Sequence, residues 1–150
     1  MSRLKDGIIS VAPFVDPRLA SDIFINMNCE LPTEIRTAMG MVLKAVADQM
    51  EKEGIVGKER TSITCLFLKS DHFEICIDQD QIAVCMKLAI YPLPKLLPYI
   101  GKNALFTILA EELCHLIWEI KDEVLINCKV LEVLRNLNPT LTLESIGYAT

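Results

Sequence analysis

The sequence predicts an α+β domain in which helices flank a three-stranded antiparallel sheet, and three features lead there. Apolar residues recur at helical spacing over residues 32–54, the pattern switches to β-branched and aromatic residues over 60–92, and helical spacing returns from Asn103. No repeat, low-complexity tract or Gly/Ser linker divides the 150 residues, so one domain spanning 1–150 is expected, long enough to bury roughly two-thirds of its unfolded surface. Hydrophobic residues make up 51% and charged residues 23%, the balance of a packed core and not of a disordered chain.

Each element follows from local chemistry. In "MSRLKDGIISVAPFVD" the early Arg3 and Lys5 are followed by Asp6, Pro13 and Asp16, which break any apolar signal segment. No stretch nears the roughly eighteen apolar residues of a membrane span, so a soluble, cytoplasmic protein with no membrane partner is expected. "PRLASDIFINMNCE" reads as a short helix after Pro17. "LPTEIRTAMGMVLKAVADQMEKEG" reads as a long one, opened by Pro32 and Thr33 and closed by Gly54, with Ile35, Met39, Val42, Leu43, Val46 and Met50 on its apolar face.

The segment "RTSITCLFLKSDHFEICIDQDQIAVCMKLAIYP" reads as three consecutive antiparallel strands with turns at Lys69-Ser70-Asp71 and Asp78-Gln79-Asp80. The prolines of "YPLPKLLPYIG" exclude a central strand and give a connection holding one short helical turn. Asn103 to Ile120 is helical, Asp122 caps a further helix, and Asn138-Pro139 stops it. "TLTLESIGYAT" carries no pattern strong enough to assign.

The net charge of -5, with fifteen Lys and Arg scattered singly, offers no phosphate-neutralising stripe and excludes a nucleic-acid partner. The six cysteines form no CxxC pair and follow no signal peptide; they read as reduced, mostly buried thiols acting as small hydrophobes.

Chemistry concentrates in "ILAEELCHLIWEIKDE", Ile108 to Glu123. At about 100° per residue, Glu111, Glu112, His115, Glu119 and Asp122 share one narrow arc, while apolar residues fill most of the remaining circumference. Two readings of that arc stand side by side. In one it is a solvated acidic edge, with pairs around His115 worth about a few tenths of a kcal/mol each. In the other, Glu111 and His115 at i and i+4 offer a carboxylate oxygen and an imidazole nitrogen to one divalent ion, with Glu123 the nearest third ligand and Asp122 or His72 further candidates.

"EELCH", preceded by "ALFTILA" and followed by "LIW", an acidic turn and another helix, resembles the HExxH helix of zincin metallopeptidases, with glutamate in place of the first histidine. Within that group it is most similar to small proteins of the ImmA/IrrE type, with "LIN" (Leu125 to Asn127) and "LEVL" (Leu131 to Leu134) where those carry their downstream ligand helix. The resemblance implies a zincin-like fold in which the motif helix is central and a C-terminal helix follows. It implies Glu112 as the water-activating base and His115 as a metal ligand. Glu111 replaces the first ligand, and the third falls on Leu125 or, with a shorter turn, on Glu123. A carboxylate in place of imidazole hardens the site, weakens zinc relative to manganese or magnesium, and makes bound water less acidic.

Other arrangements are weaker. Cys114 and His115 are adjacent on a helix and do not face each other, and the chain has only one ExxH where a di-iron bundle needs two. Trp118 reads as a core side chain and His72 as an exposed loop residue. Two functions remain: a zincin-related protein that is either a weak Zn- or Mn-dependent hydrolase or, preferably, a silent descendant; and a metal-free module that holds a peptide or protein partner in a groove.

Overall fold

The computed structural model describes residues 2–5, 8–74 and 87–148. Strands β1 (Ser2–Lys5) and β2 (Ile8–Val11) pair as an antiparallel hairpin. A 3-10 turn at Pro17–Leu19 leads to β3 (Ile23–Met27), α1 (Thr33–Lys52), β4 (Ile63–Leu68) and β5 (Lys87–Pro92). Then come α2 (Leu93–Leu96), a further 3-10 turn (Leu97–Tyr99), α3 (Asn103–Ile117) and α4 (Glu123–Leu134).

The α+β class holds, but the antiparallel sheet does not. β3, β4 and β5 lie side by side in that order and run parallel, with Ile23 opposite Ile63 and Ile63 opposite Lys87. Alternation assigns residues to faces and says nothing about a neighbour's direction; the antiparallel expectation came from reading Lys69-Ser70-Asp71 as a hairpin turn. Residues 69–86 instead separate β4 from β5, a length that suits a parallel return. The expected middle strand and the turn at Asp78-Gln79-Asp80 fall largely in 75–86, outside the described residues.

The third described strand comes from the segment expected to be a short helix. Asp16 caps the 3-10 turn by accepting from the Arg18 N–H, and the turn ends at Leu19. Ile23, Ile25 and Met27 then lie further inside than Phe24 and Asn26, a period of two that places this stretch in the sheet.

The long helix matches its expectation closely. Pro32 stands at its N-cap with ψ 146°, and Gly54 takes φ 69° just beyond its end, a left-handed conformation that glycine adopts without Cβ strain. Its buried Ile35, Met39, Val42, Leu43, Val46 and Met50 join Ile63, Cys65 and Phe67 of β4, Ala89 and Tyr91 of β5, and Leu105, Leu109 and Leu113 of α3 in one core. Each such large side chain contributes roughly 1.5–3 kcal/mol of burial free energy. Phe67 and Tyr91 stack at 5.0 Å, and the buried Tyr91 hydroxyl donates to the Leu109 carbonyl at 2.7 Å, tying β5 to α3.

A polar seam joins α1 to α4. Gln49 donates to Glu53 (2.8 Å) and Glu132 (2.9 Å), Lys129 to Glu53 (3.2 Å) and Glu132 (2.7 Å), and Asn136 to the Ala45 carbonyl (3.1 Å). The buried amide of Gln49 is thereby satisfied, which removes the penalty of desolvating it.

Candidate functional site

The motif lies on α3, which packs against α1, α4 and β5. The helix stops at Ile117, earlier than expected, because Glu119 turns to φ 53°. The Lys87 ammonium secures this end by donating to the Leu116 carbonyl (2.9 Å) and the Glu119 carboxylate (3.0 Å). Glu119 and Asp122 therefore leave the shared arc, and only Glu111, Glu112 and His115 remain on the helix. Asp122 is the N-cap of α4, accepting from the Leu125 N–H at 2.9 Å, as its position suggests.

Glu111 and His115 lie side by side, 32% and 29% exposed, with Glu111 Oε1 3.8 Å from His115 Nε2. Each is also held from within the chain. The Tyr148 hydroxyl donates to Glu111 Oε2 at 2.7 Å, and His115 Nδ1 lies 2.6 Å from the Ile120 carbonyl. A carbonyl only accepts, so Nδ1 carries the proton in that bond. Burial first, and then the bond to Glu111, raise the Tyr148 phenol well above its ordinary pKa and keep it a donor.

Tyr148 arrives on a segment whose docking no helical or strand period announces. Ile146 is buried in the core, its carbonyl accepts from the Thr107 hydroxyl at 2.7 Å, and the Ser145 carbonyl accepts from Asn103 at 3.4 Å. These bonds lay residues 145–148 along α3 and bring the phenol to Glu111. The available signal was the pair Ile146 and Tyr148, two large side chains among the small and polar residues that follow Leu143.

Glu112 belongs to a different surface. It lines a cavity of about 350 Å³ beside β5, together with Phe73, Leu88, Ile90, Lys95 and Ile108. Loss of water against this wall raises the Glu112 pKa above the ordinary glutamate value; the charge of His115 lowers it and that of Glu111 raises it. Lys95 reaches the cavity from α2, inside the proline-rich connection, and was not singled out by any motif.

The other candidates fall elsewhere. Glu123 opens α4 with an exposed side chain, and His72 is 96% exposed beside Asp71. Among the described residues no three His, Cys, Asp or Glu side chains gather closely enough to hold one ion. Glu123 is still near enough for its charge to help raise the Tyr148 pKa.

Cys114 is in the core and burial drives its thiol pKa far up, the reverse of a reactive thiolate; burial pushes the Cys65 thiol up to about 12. Cys128 is exposed, against the general expectation of burial, and Cys76 and Cys85 lie outside the described residues. Trp118 packs against the core while its indole N–H donates to Glu53 at 3.1 Å, and the Lys129 ammonium lies 4.9 Å from its ring centroid.

No helix among the described residues is long and apolar enough to cross a membrane. Comparison with protein-family models, with curated protein sequences and with solved structures returns no match.

Proposed function

We propose that this chain is a metal-free binding module, a silent counterpart of the peptidases its motif resembles, holding a peptide-like ligand in the cleft between α3 and β5. One observation carries the reading: Glu111 and His115 are engaged by Tyr148 and Ile120 of their own chain, whereas Glu112 faces a cavity and forms no hydrogen bond or ion pair among the described residues. Polar groups that a fold has already satisfied hold structure; an exposed one at the edge of an apolar wall is available to a ligand. A cytoplasmic location belongs to this proposal, and the free thiols of Cys29, Cys65, Cys114 and Cys128 suit a reducing compartment.

A weak Zn- or Mn-dependent hydrolase is the second reading, and one observation favours it. A histidine whose Nδ1–H is fixed by a carbonyl while Nε2 faces a carboxylate has the support that metal-ligating histidines use. Glu111, His115 and Glu123 would then be the ligands and Glu112 the base, which requires the first turn of α4 to move toward the pair. Elemental analysis of protein purified without added metal, with thermal melting across zinc and manganese concentrations, separates the two. The module reading expects no stoichiometric metal and a flat melting temperature; a rise that follows metal concentration and vanishes in Glu111→Ala establishes the other.

A further inference from the structure

The cavity beside β5 has a composition that narrows its ligand. Its walls are apolar, supplied by Phe73, Leu88, Ile90 and Ile108, and two opposite charges open onto it, the Glu112 carboxylate from α3 and the Lys95 ammonium from α2. Among the described residues the two form no ion pair with each other and neither has another hydrogen-bonding partner. Opposite charges that line one cavity without neutralising each other complement a molecule that carries both signs. At about 350 Å³ the space is near the small end of the range for ligand pockets, suiting one or two amino-acid residues better than a long peptide.

We infer that this cavity binds an apolar zwitterion, a free amino acid or dipeptide, with its ammonium on Glu112, its carboxylate on Lys95 and its side chain against Leu88, Ile90 and Ile108. The inference rests on the binding-module reading and names the ligand of that same cleft. Glu112 gains a cation and Lys95 an anion, each through a charge-assisted hydrogen bond at the exposed rim of the cavity. The aliphatic walls favour leucine-like over polar side chains because they offer no hydrogen-bonding group in return.

The test is a nuclear magnetic resonance titration of the isotope-labelled full chain, in EDTA, with L-leucine, L-leucyl-L-leucine, N-acetyl-L-leucine and L-leucinamide. Saturable shifts at the amides of Leu88, Ile90, Ile108 and Glu112 are expected with leucine or the dipeptide, and the tighter of the two identifies the natural size. Loss of either charge, in the N-acetyl compound or the amide, is expected to weaken binding about tenfold or more. Glu112→Gln should abolish the preference for leucine over N-acetyl-leucine. Lys95→Met, at an exposed position on a short helix, should abolish the preference over leucinamide and serves as the independent check if the first variant misfolds. A silent titration at millimolar ligand, or equal binding of all four compounds, overturns the ligand assignment and leaves the metal test of the module reading untouched. Binding that appears only when zinc replaces EDTA overturns the metal-free reading as well.

Discussion

The two sides of α3 carry similar residues and treat them in opposite ways. On one side a glutamate and a histidine are closed in by Tyr148 and the Ile120 carbonyl; on the other a glutamate one residue along the chain faces a cavity shared with a lysine that forms no ion pair among the described residues. The motif alone would rank the first side as the site, because it contains the i, i+4 pair. The distribution of partners ranks the second, because Glu112 and Lys95 are exposed at the edge of an apolar cavity and are engaged by no other side chain among the described residues, which leaves both charges open to a ligand. A motif names the residue types, and the surrounding chain decides whether they are free to act.

The sharpest way to break this contrast is to undock the segment that closes the first side. Ile146→Ala removes a buried side chain that anchors residues 145–148 and should cost about 2–4 kcal/mol, read as a lower urea midpoint with an unchanged slope. A loss under about 0.5 kcal/mol, in the range of ordinary surface substitutions, would mean the segment is not anchored there. Tyr148→Phe is gentler: it deletes one hydrogen bond to a carboxylate and should cost about 1 kcal/mol, since the pair is only part-buried. If the closure is what withholds Glu111 and His115 from solvent ions, this variant should also show a zinc response in thermal melting that the native chain lacks.

The smallest effect is expected on the open side and has the opposite sign. The Glu112 pKa is raised on folding, so the native state binds the extra proton between the unfolded and folded values, and stability falls as pH rises through that window. Glu112→Gln should therefore be neutral to stabilising at pH 7, with a stability profile flatter through the mildly acidic range than the parent. The cluster around Arg18 behaves conversely. The Arg18 hydrogen bond, opposed by burial, lowers the Asp16 pKa; at Asp48 burial is outweighed by bonds from Lys44 and Arg18. The stability these two supply is present above about pH 4 and is lost as pH falls through their lowered folded values, and Arg18→Met should shrink that acid limb in a pH series of melting curves, removing chiefly the Asp16 part while Lys44 still holds Asp48.

How much of this was legible varies by element, for physical reasons. α1, α3 and α4 could be read because apolar residues repeat at a helix's own period and because Pro32, Gly54 and Asp122 mark ends by backbone chemistry. The direction of β4 and β5 could not, since a strand's alternation is identical in either sense. β3 was missed because Pro17 and Leu19 begin a turn that imitates a helix start for three residues. Glu111, Glu112 and His115 were found from spacing. Tyr148 and Lys95 were not, because one arrives through contacts made by backbone carbonyls and the other on a proline-bounded helical turn whose facing no period encodes.

The most direct test is a crystal structure of the chain grown with both zinc and L-leucine, with diffraction collected across the zinc absorption edge. The account predicts leucine density between Glu112 and Lys95 and no anomalous peak beside Glu111 and His115, whose bonds to Tyr148 and Ile120 stay in place. An anomalous peak bridging Glu111 and His115, with Glu123 or any other donor completing its coordination, would contradict it.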